Sequence, residues 1–248
     1  MLSKTQVKYI QSLSHKKFRD EEGVFIAEGP KIVAEILKEK PSAVRYIYAV
    51  KNWHETNENL VKNIGTESLN EVSEKELEKI SSLNTPNQVF AIIKKLPAKQ
   101  NIDCKIQLVI ALDEIQDPGN LGTIIRIADW FGIKHIICSK DCADVYNSKV
   151  VQSTMGSIIR VNVMYTDLED FLNKQKGIEI MAAALEGIPV QKIKEGKNGV
   201  LLIGNESKGI SKELLSFAST KITIPQIGKA ESLNAAVATG IILSHLKL

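Results

Sequence analysis

The chain has 248 residues, of which 44% are hydrophobic and 25% charged, with a formal net charge of +3. Those proportions exclude a largely disordered chain, a collagen and a disulfide miniprotein, and no run of about 18 apolar residues is present to cross a membrane. The basic first twenty residues lack the apolar core of a secretory signal, and three cysteines without such a signal (Cys104, Cys138, Cys142) point to a reducing cytoplasm.

Length favours two domains over one. Charge separates them too. Residues 1–100 carry 16 basic and 13 acidic side chains, whereas residues 101–248 carry 16 of each. Lys4, Lys8, Lys16, Lys17 and Arg19 lie in the first nineteen residues, without an acid. Such a cluster can neutralise phosphates. On charge alone, a solvated helix face is the simpler reading.

Residues 2–13 predict a short helix. Pro30 opens a second, with apolar residues at 32, 33, 36 and 37 forming one face. Residues 45–50 read as a strand. Ser73 and Glu76 form a capping box that opens a helix to about Leu83. Residues 88–94 read as a further strand. Residues 96–105, poor in apolar side chains, form the expected linker between a domain at 1–95 and one at 106–248.

The second part alternates. Strands are predicted at 106–113, 134–139, 158–163, 178–184, 200–204 and 221–224. Helices are predicted at 121–131, near 144–151, and at 167–174, 211–218 and 231–246. Alternation of this kind predicts a parallel sheet covered on both faces, with ligands beyond the carboxyl ends of its strands.

Several chemistries are missing. There is no dinucleotide fingerprint, no P-loop and no nucleophile elbow. The four histidines and three cysteines form no metal-ligand set, so no metal is expected. Three loops remain. In the first, Asp113 to Gly122, the Pro118-Gly119 turn precedes Asn120 as a helix cap. On the following helix Leu121, Ile124, Ile125, Ile127, Ala128 and Phe131 share an arc, and Arg126 points the other way with Thr123 and Trp130. In the second, Gly204 ends an apolar strand and precedes Asn205-Glu206. A glycine there lets a ligand approach the backbone. In the third, Ile224-Pro225 leads through Gly228 to Ser232-Leu233-Asn234, caps of a small-residue helix. Taken singly, each loop fits an ordinary turn or cap.

In this order and spacing, the three loops resemble the three motifs of the SpoU/TrmH-type RNA 2′-O-ribose methyltransferases of the SPOUT superfamily. Asn120 to Arg126 matches the first, Ile203 to Ile210 the second, and Ile224 to Asn234 the third. The resemblance covers about 108–246. Residues 1–100 are similar to the small α/β RNA-binding module of many members, through Lys16-Lys17-Phe18-Arg19, Phe25 to Gly29 and Thr85-Pro86.

The resemblance implies an α/β catalytic domain with a parallel sheet and a deep trefoil knot, behind a smaller α/β RNA-binding domain. It implies S-adenosylmethionine as cofactor, a cytoplasmic homodimer and an active site near the dimer interface. By motif position, Gly204, Ile224 and Leu233 would bind the cofactor. Asn120, Arg126, Glu206, Ser232 and Asn234 would surround the chemistry, and Lys16, Lys17 and Arg19 would bind RNA. Ribosomal RNA is the favoured substrate. A transfer RNA enzyme, a non-catalytic RNA binder of the same fold and a small-molecule α/β enzyme stand as alternatives. Arg126 is implied as the base, but a guanidinium that stays charged equally suits an electrostatic role. Phe18 and Tyr46 are expected in the core, and Trp53 is open to either packing or base stacking.

Overall fold

The computed structural model describes residues 1–247; Leu248, the last residue of the expected second domain, lies outside the described residues. Two compact units are present: Met1–Pro97 with Tyr146–Ile159, and Ala98–Val145 with Arg160 onward. Among the described residues no helix is long and apolar enough to cross a membrane.

The first unit begins with α1 (Lys4–Ser12), opened by a Ser3–Gln6 capping box. Next comes α2 (Lys16–Glu22), which ends on Gly23 in the left-handed region, φ +63°. β1 (Val24–Glu28) is buried along its whole length. α3 (Pro30–Glu39) buries Ile32, Val33, Ile36 and Leu37, the face its spacing predicts. Then follow β2 (Val44–Ala49), α4 (Lys51–Thr56), α5 (Glu58–Val61), β3 (Leu69–Glu71), α6 (Glu74–Ile80) and β4 (Val89–Lys94). The sheet order is β1-β4-β2-β3, and β4 pairs antiparallel with both neighbours. The Ser73–Glu76 capping box opens α6 as expected. Trp53 is buried in this unit, whereas Phe18 is 39% exposed, against the expectation of core packing.

The rest of the chain supplies β5 (Leu108–Leu112), α7 (Pro118–Trp130), β6 (His135–Cys138), α8 (Ser148–Thr154), β7 (Asn162–Tyr165), α9 (Leu168–Asn173), β8 (Ile180–Pro189), β9 (Gly199–Ile203), α10 (Lys212–Leu215), β10 (Thr220–Thr223) and α11 (Ala235–Lys247). The six strands form one sheet, ordered β10-β8-β9-β5-β6-β7, and every pair is parallel. That is the α/β architecture the alternation predicts. β5 and β9 are buried at every position, because helices cover both faces of such a sheet.

Two elements are displaced from their expected places. The strand expected at 158–163 lies at 162–165, and Ser157–Ile159 forms a 3-10 turn. Ile158 and Ile159 are apolar because they are buried in the first unit, not because they are strand. The last helix begins at Ala235, four residues after its expected start.

Residues 146–159 are an excursion of the second half of the sequence into the first unit. α8 packs on β1. The Tyr146 ring stacks on Phe25 with centroids 4.9 Å apart, and its hydroxyl accepts from the Leu96 amide at 3.2 Å. A Cβ at Gly156 would sit 2.9 Å from that of Glu35, so glycine permits this approach. The expected linear boundaries contain no such excursion.

Candidate active site

β5 is the strand at which the sheet order reverses direction. β6 and β7 lie on one side of it, and β9, β8 and β10 on the other. Crevices open at the carboxyl ends of strands at such switch points. The ends of β5 and β9 are tied there by the Asp113 amide, which donates to the Ile203 carbonyl at 2.9 Å.

The first loop leaves β5 with Glu114 in the left-handed region, φ +52°. Its helix begins earlier than expected. Asp117 is the cap of α7, accepting from the Asn120 amide at 2.8 Å, with Pro118 at the first helical position. Asn120 is therefore not the cap but a first-turn residue whose side chain is free for other work. Its Nδ2 donates to Glu206 Oε1, and its Oδ1 accepts from Asn234 Nδ2 at 2.8 Å.

The second loop is folded on itself. Asn205 and Gly209 exchange backbone hydrogen bonds of 3.1 and 2.8 Å. Asn205 Oδ1 accepts from the amides of Ser207 and Lys208. Its Nδ2 donates to the Glu114 carbonyl at 2.9 Å, and Lys208 Nζ lies 2.7 Å from the Glu114 carboxylate. The second loop is thus clamped to the first on both sides of Glu206. Gly204 has a packing reason that the sequence did not disclose. A Cβ there would lie 2.3 Å from the Gly209 carbonyl carbon.

Residues 225–234 are all exposed. This third loop runs from the edge strand β10 back to α7, where Asn234 ends it. Asn234 Oδ1 accepts from the Ala236 and Val237 amides, so it caps α11 while its Nδ2 reaches Asn120. Ser232, the other expected cap, precedes α11 by three residues and carries no such bond.

Of the five expected catalytic residues, Asn120, Glu206 and Asn234 meet in one hydrogen-bonded chain. Ser232 lies exposed two residues from Asn234. Arg126 is exposed and has no hydrogen bond or ion pair among the described residues. It sits about 9 Å along α7 from Asn120, on the face that carries Trp130, which is 85% exposed. Asp117, Asn205, Glu114 and Lys208 are the positioning residues that sequence reading missed. Asp-Pro is itself a helix-start signature and would have placed the cap correctly.

The Cys142 thiol braces the loop that leaves β5. Cys142 Sγ receives the Ile115 amide at 3.3 Å and lies 3.3 Å from the Leu112 carbonyl. Hydrogen bonding between the two thiols pulls Cys142 down to about 7 and pushes Cys138 up. Both are buried, the packing role expected of them.

The expected RNA contacts divide. Lys16 and Lys17 are exposed, with Lys17 in a loose pair to Glu21 at 3.9 Å. Arg19 corrects the expectation. It is only 4% exposed, and its guanidinium donates to the carbonyls of Leu13 and Ser14 at 3.0 and 2.6 Å, fixing the α1–α2 turn.

The profile of the SpoU rRNA methylase family matches residues 107–244, and that of the MRM3-like substrate-binding domain matches residues 4–91. A 23S rRNA (guanosine(2553)-2′-O)-methyltransferase of Bacillus subtilis is 33% identical over 98% of this chain and 96% of its own. A tRNA (guanosine(18)-2′-O)-methyltransferase of Aquifex aeolicus is 33% identical over 55% of this chain and 66% of its own. The structure of an S-adenosylmethionine-bound rRNA methyltransferase from Sinorhizobium meliloti superposes with a TM-score of 0.84. It is 33% identical and covers 99% of this chain and 96% of its own. The three motif loops, the all-parallel sheet and the full-length matches agree: the chain belongs to the SpoU rRNA methylase family of methyltransferases.

Proposed function

We propose that this protein transfers a methyl group from S-adenosylmethionine to a ribose 2′-hydroxyl of ribosomal RNA, as a cytoplasmic homodimer. The observation that carries the reading is the Glu206–Asn120–Asn234 chain, which joins the three motif loops at the switch point of the sheet. Ribosomal RNA is favoured over transfer RNA because the rRNA relative matches both units, whereas the tRNA relative matches little more than half of the chain.

The residues present suit the cofactor. Ile224 and Leu233 offer half-exposed apolar side chains beside main-chain groups, the chemistry an adenosine needs. Gly204 keeps its loop folded where a side chain would collide with Gly209 and Ile210. When bound, S-adenosylmethionine supplies a methyl group made electrophilic by its sulfonium. Arg126 would hold the phosphate beside the target ribose and stabilise the alkoxide as its proton leaves. Asn120 and Glu206 orient the reacting group, and Ser232 and Asn234 shape the wall opposite.

The second copy docks on α7 and α11. These two helices pack together, with Gly240 of α11 against Ile127 of α7. Their outer surface exposes Trp130 and Val237, at 85% and 51%. The almost fully exposed Trp130 ring is a large apolar side chain that a docked copy would cover. Arg126 shares this face, so a docked copy would place its own motif loops within reach of Arg126.

Methyl-labelled cofactor incubated with unmodified ribosomal and transfer RNA, followed by alkaline hydrolysis, tests the reading. A 2′-O-methyl group blocks cleavage at its own phosphodiester. Label in alkali-resistant dinucleotides from ribosomal RNA is expected; label in mononucleotides would mean base methylation and overturn it.

A further inference from the structure

A groove of about 530 Å³ runs between α1 and α6 of the first unit. Four lysines line it: Lys4 and Lys8 on α1, Lys75 and Lys79 on α6. Each pair is spaced four residues apart, which puts both members on one helix face, about 6 Å apart along the axis. Two rows of ammonium groups therefore border one channel. All four side chains are exposed, and none has an ion pair or hydrogen bond through its ammonium group among the described residues.

One carboxylate, Glu76, lies in the groove, and it is already committed. It accepts from the Ser73 amide at 3.0 Å, the Ser73 hydroxyl at 2.9 Å and the Leu2 amide at 2.6 Å. It stitches the start of the chain to α6 and is not directed at any lysine. Glu74 and Glu78, the other acids of α6, do not line the groove. Val7 supplies apolar floor. Four uncompensated cations in two facing rows match a polyanion with charge repeating along its length, and they offer no hydrogen-bond code for particular bases.

We propose that the α1–α6 groove is the track that binds the phosphate backbone of the RNA substrate, with Lys4, Lys8, Lys75 and Lys79 as its contacts. The inference rests on the RNA methyltransferase reading and adds the surface that reading lacks. It replaces Arg19, whose guanidinium is buried, as a source of phosphate contacts. Contacts of this kind position an RNA without reading its sequence. They predict that binding through the groove is insensitive to base identity and steeply dependent on salt.

The test compares two double variants of equal charge. Lys8→Gln/Lys79→Gln removes one lysine from each row. Lys40→Gln/Lys62→Gln removes two exposed lysines from elsewhere on the same unit. Affinity for a ribosomal RNA fragment is measured by fluorescence anisotropy across a salt series, alongside cofactor affinity and thermal melting. For the groove variant the slope of log K against log[salt] should fall by about 2, and affinity should drop roughly tenfold whatever the RNA sequence. Cofactor affinity and melting temperature should stay at wild-type values, and the control variant should bind like wild type. A groove variant that keeps the wild-type slope overturns the proposal, as it would if the groove served a protein partner; so does an equal loss in the control. Wild-type protein that binds no RNA would instead overturn the function on which the proposal rests.

Discussion

Asn234 donates its side-chain amide to Asn120 at 2.8 Å while its carboxamide oxygen caps α11. One residue thus fixes a helix start and closes a hydrogen-bond chain to a loop 114 residues away in sequence. Asn120 occupies the middle of that chain, accepting from Asn234 and donating to Glu206. A carboxamide does both at once, through two separate atoms. Asn120→Ala should lower kcat by about 100-fold through lost positioning, with cofactor affinity held within about threefold. Asn120→Asp places a second carboxylate against Glu206, and two carboxylates sharing a site raise one pKa. Its activity should be low at neutral pH and rise as the pH falls and one carboxyl of the pair takes up a proton. A pH–rate profile parallel to wild type would show that Asn120 and Glu206 do not act as a pair.

Arg126 lies exposed, with no partner among the described residues. Removing it costs the fold little, within about 0.5 kcal/mol. Arg126→Ala should therefore abolish methyl transfer while calorimetric cofactor binding and thermal stability persist. Arg126→Lys should restore little, because a point charge does not reproduce the planar fork that grips a phosphate or alkoxide. Lost cofactor binding in Arg126→Ala would make it a cofactor-binding residue instead.

The architecture was legible where period and punctuation agree. Alternating strands and helices from residue 106 onward gave the parallel sheet, and Pro30 and Ser73 marked helix starts that the structure keeps. Local pattern failed where the decisive contact is distant. Ile158 and Ile159 look like strand, yet their burial comes from the first unit. Asn120 looks like a cap because Asx residues before a helix usually are. Asp117 takes that place, and only the fold reveals that Asn120 is released to meet Glu206. Arg19 stands among lysines in a basic run, but helix geometry turns it inward onto two carbonyls while Lys16 and Lys17 stay outside. Charge counts cannot separate an arginine that caps a turn from one that meets a phosphate.

Gly204 sits where the second loop folds back over the end of β9. A methyl group there would lie within 2.4 Å of the Gly209 carbonyl and the Ile210 amide nitrogen, all of them backbone. Backbone cannot rotate away as a side chain can. Gly204→Ala should displace the whole loop, costing about 1–3 kcal/mol in urea unfolding. Methyl transfer should fall with it, since Asn205 and Lys208 hold Glu206 through that loop. Full activity with an unchanged urea midpoint would mean the loop has slack that its bonding pattern does not suggest.

Trp130 is 85% exposed on α7. If a second copy covers this face, burying a charge there is costly unless it is paired. Trp130→Glu should shift the sedimenting species from dimer to monomer and remove methyl transfer, while the isolated chain melts near the wild-type temperature. A monomeric wild-type protein with full activity would refute the dimeric arrangement and the placement of Arg126 across it.

Glu76 is held well below the usual carboxylate range, at about 2, chiefly by the Ser73 backbone amide and then by that of Leu2. These donors favour the ionised carboxylate, so its folded-state pKa lies below the unfolded value of 4.5. The stabilisation is then fully present above about 4.5 and is lost as the pH falls towards about 2. Glu76→Gln keeps the shape of the side chain but removes the charge these amides favour. Its melting temperature should lie below wild type at pH 7, and the gap should close as both proteins are taken from pH 5 to pH 2. Melting curves at half-unit intervals over that window decide it. A gap that stays constant with pH would mean that Glu76 stabilises α6 by its hydrogen-bonding shape alone, with its charge playing no part.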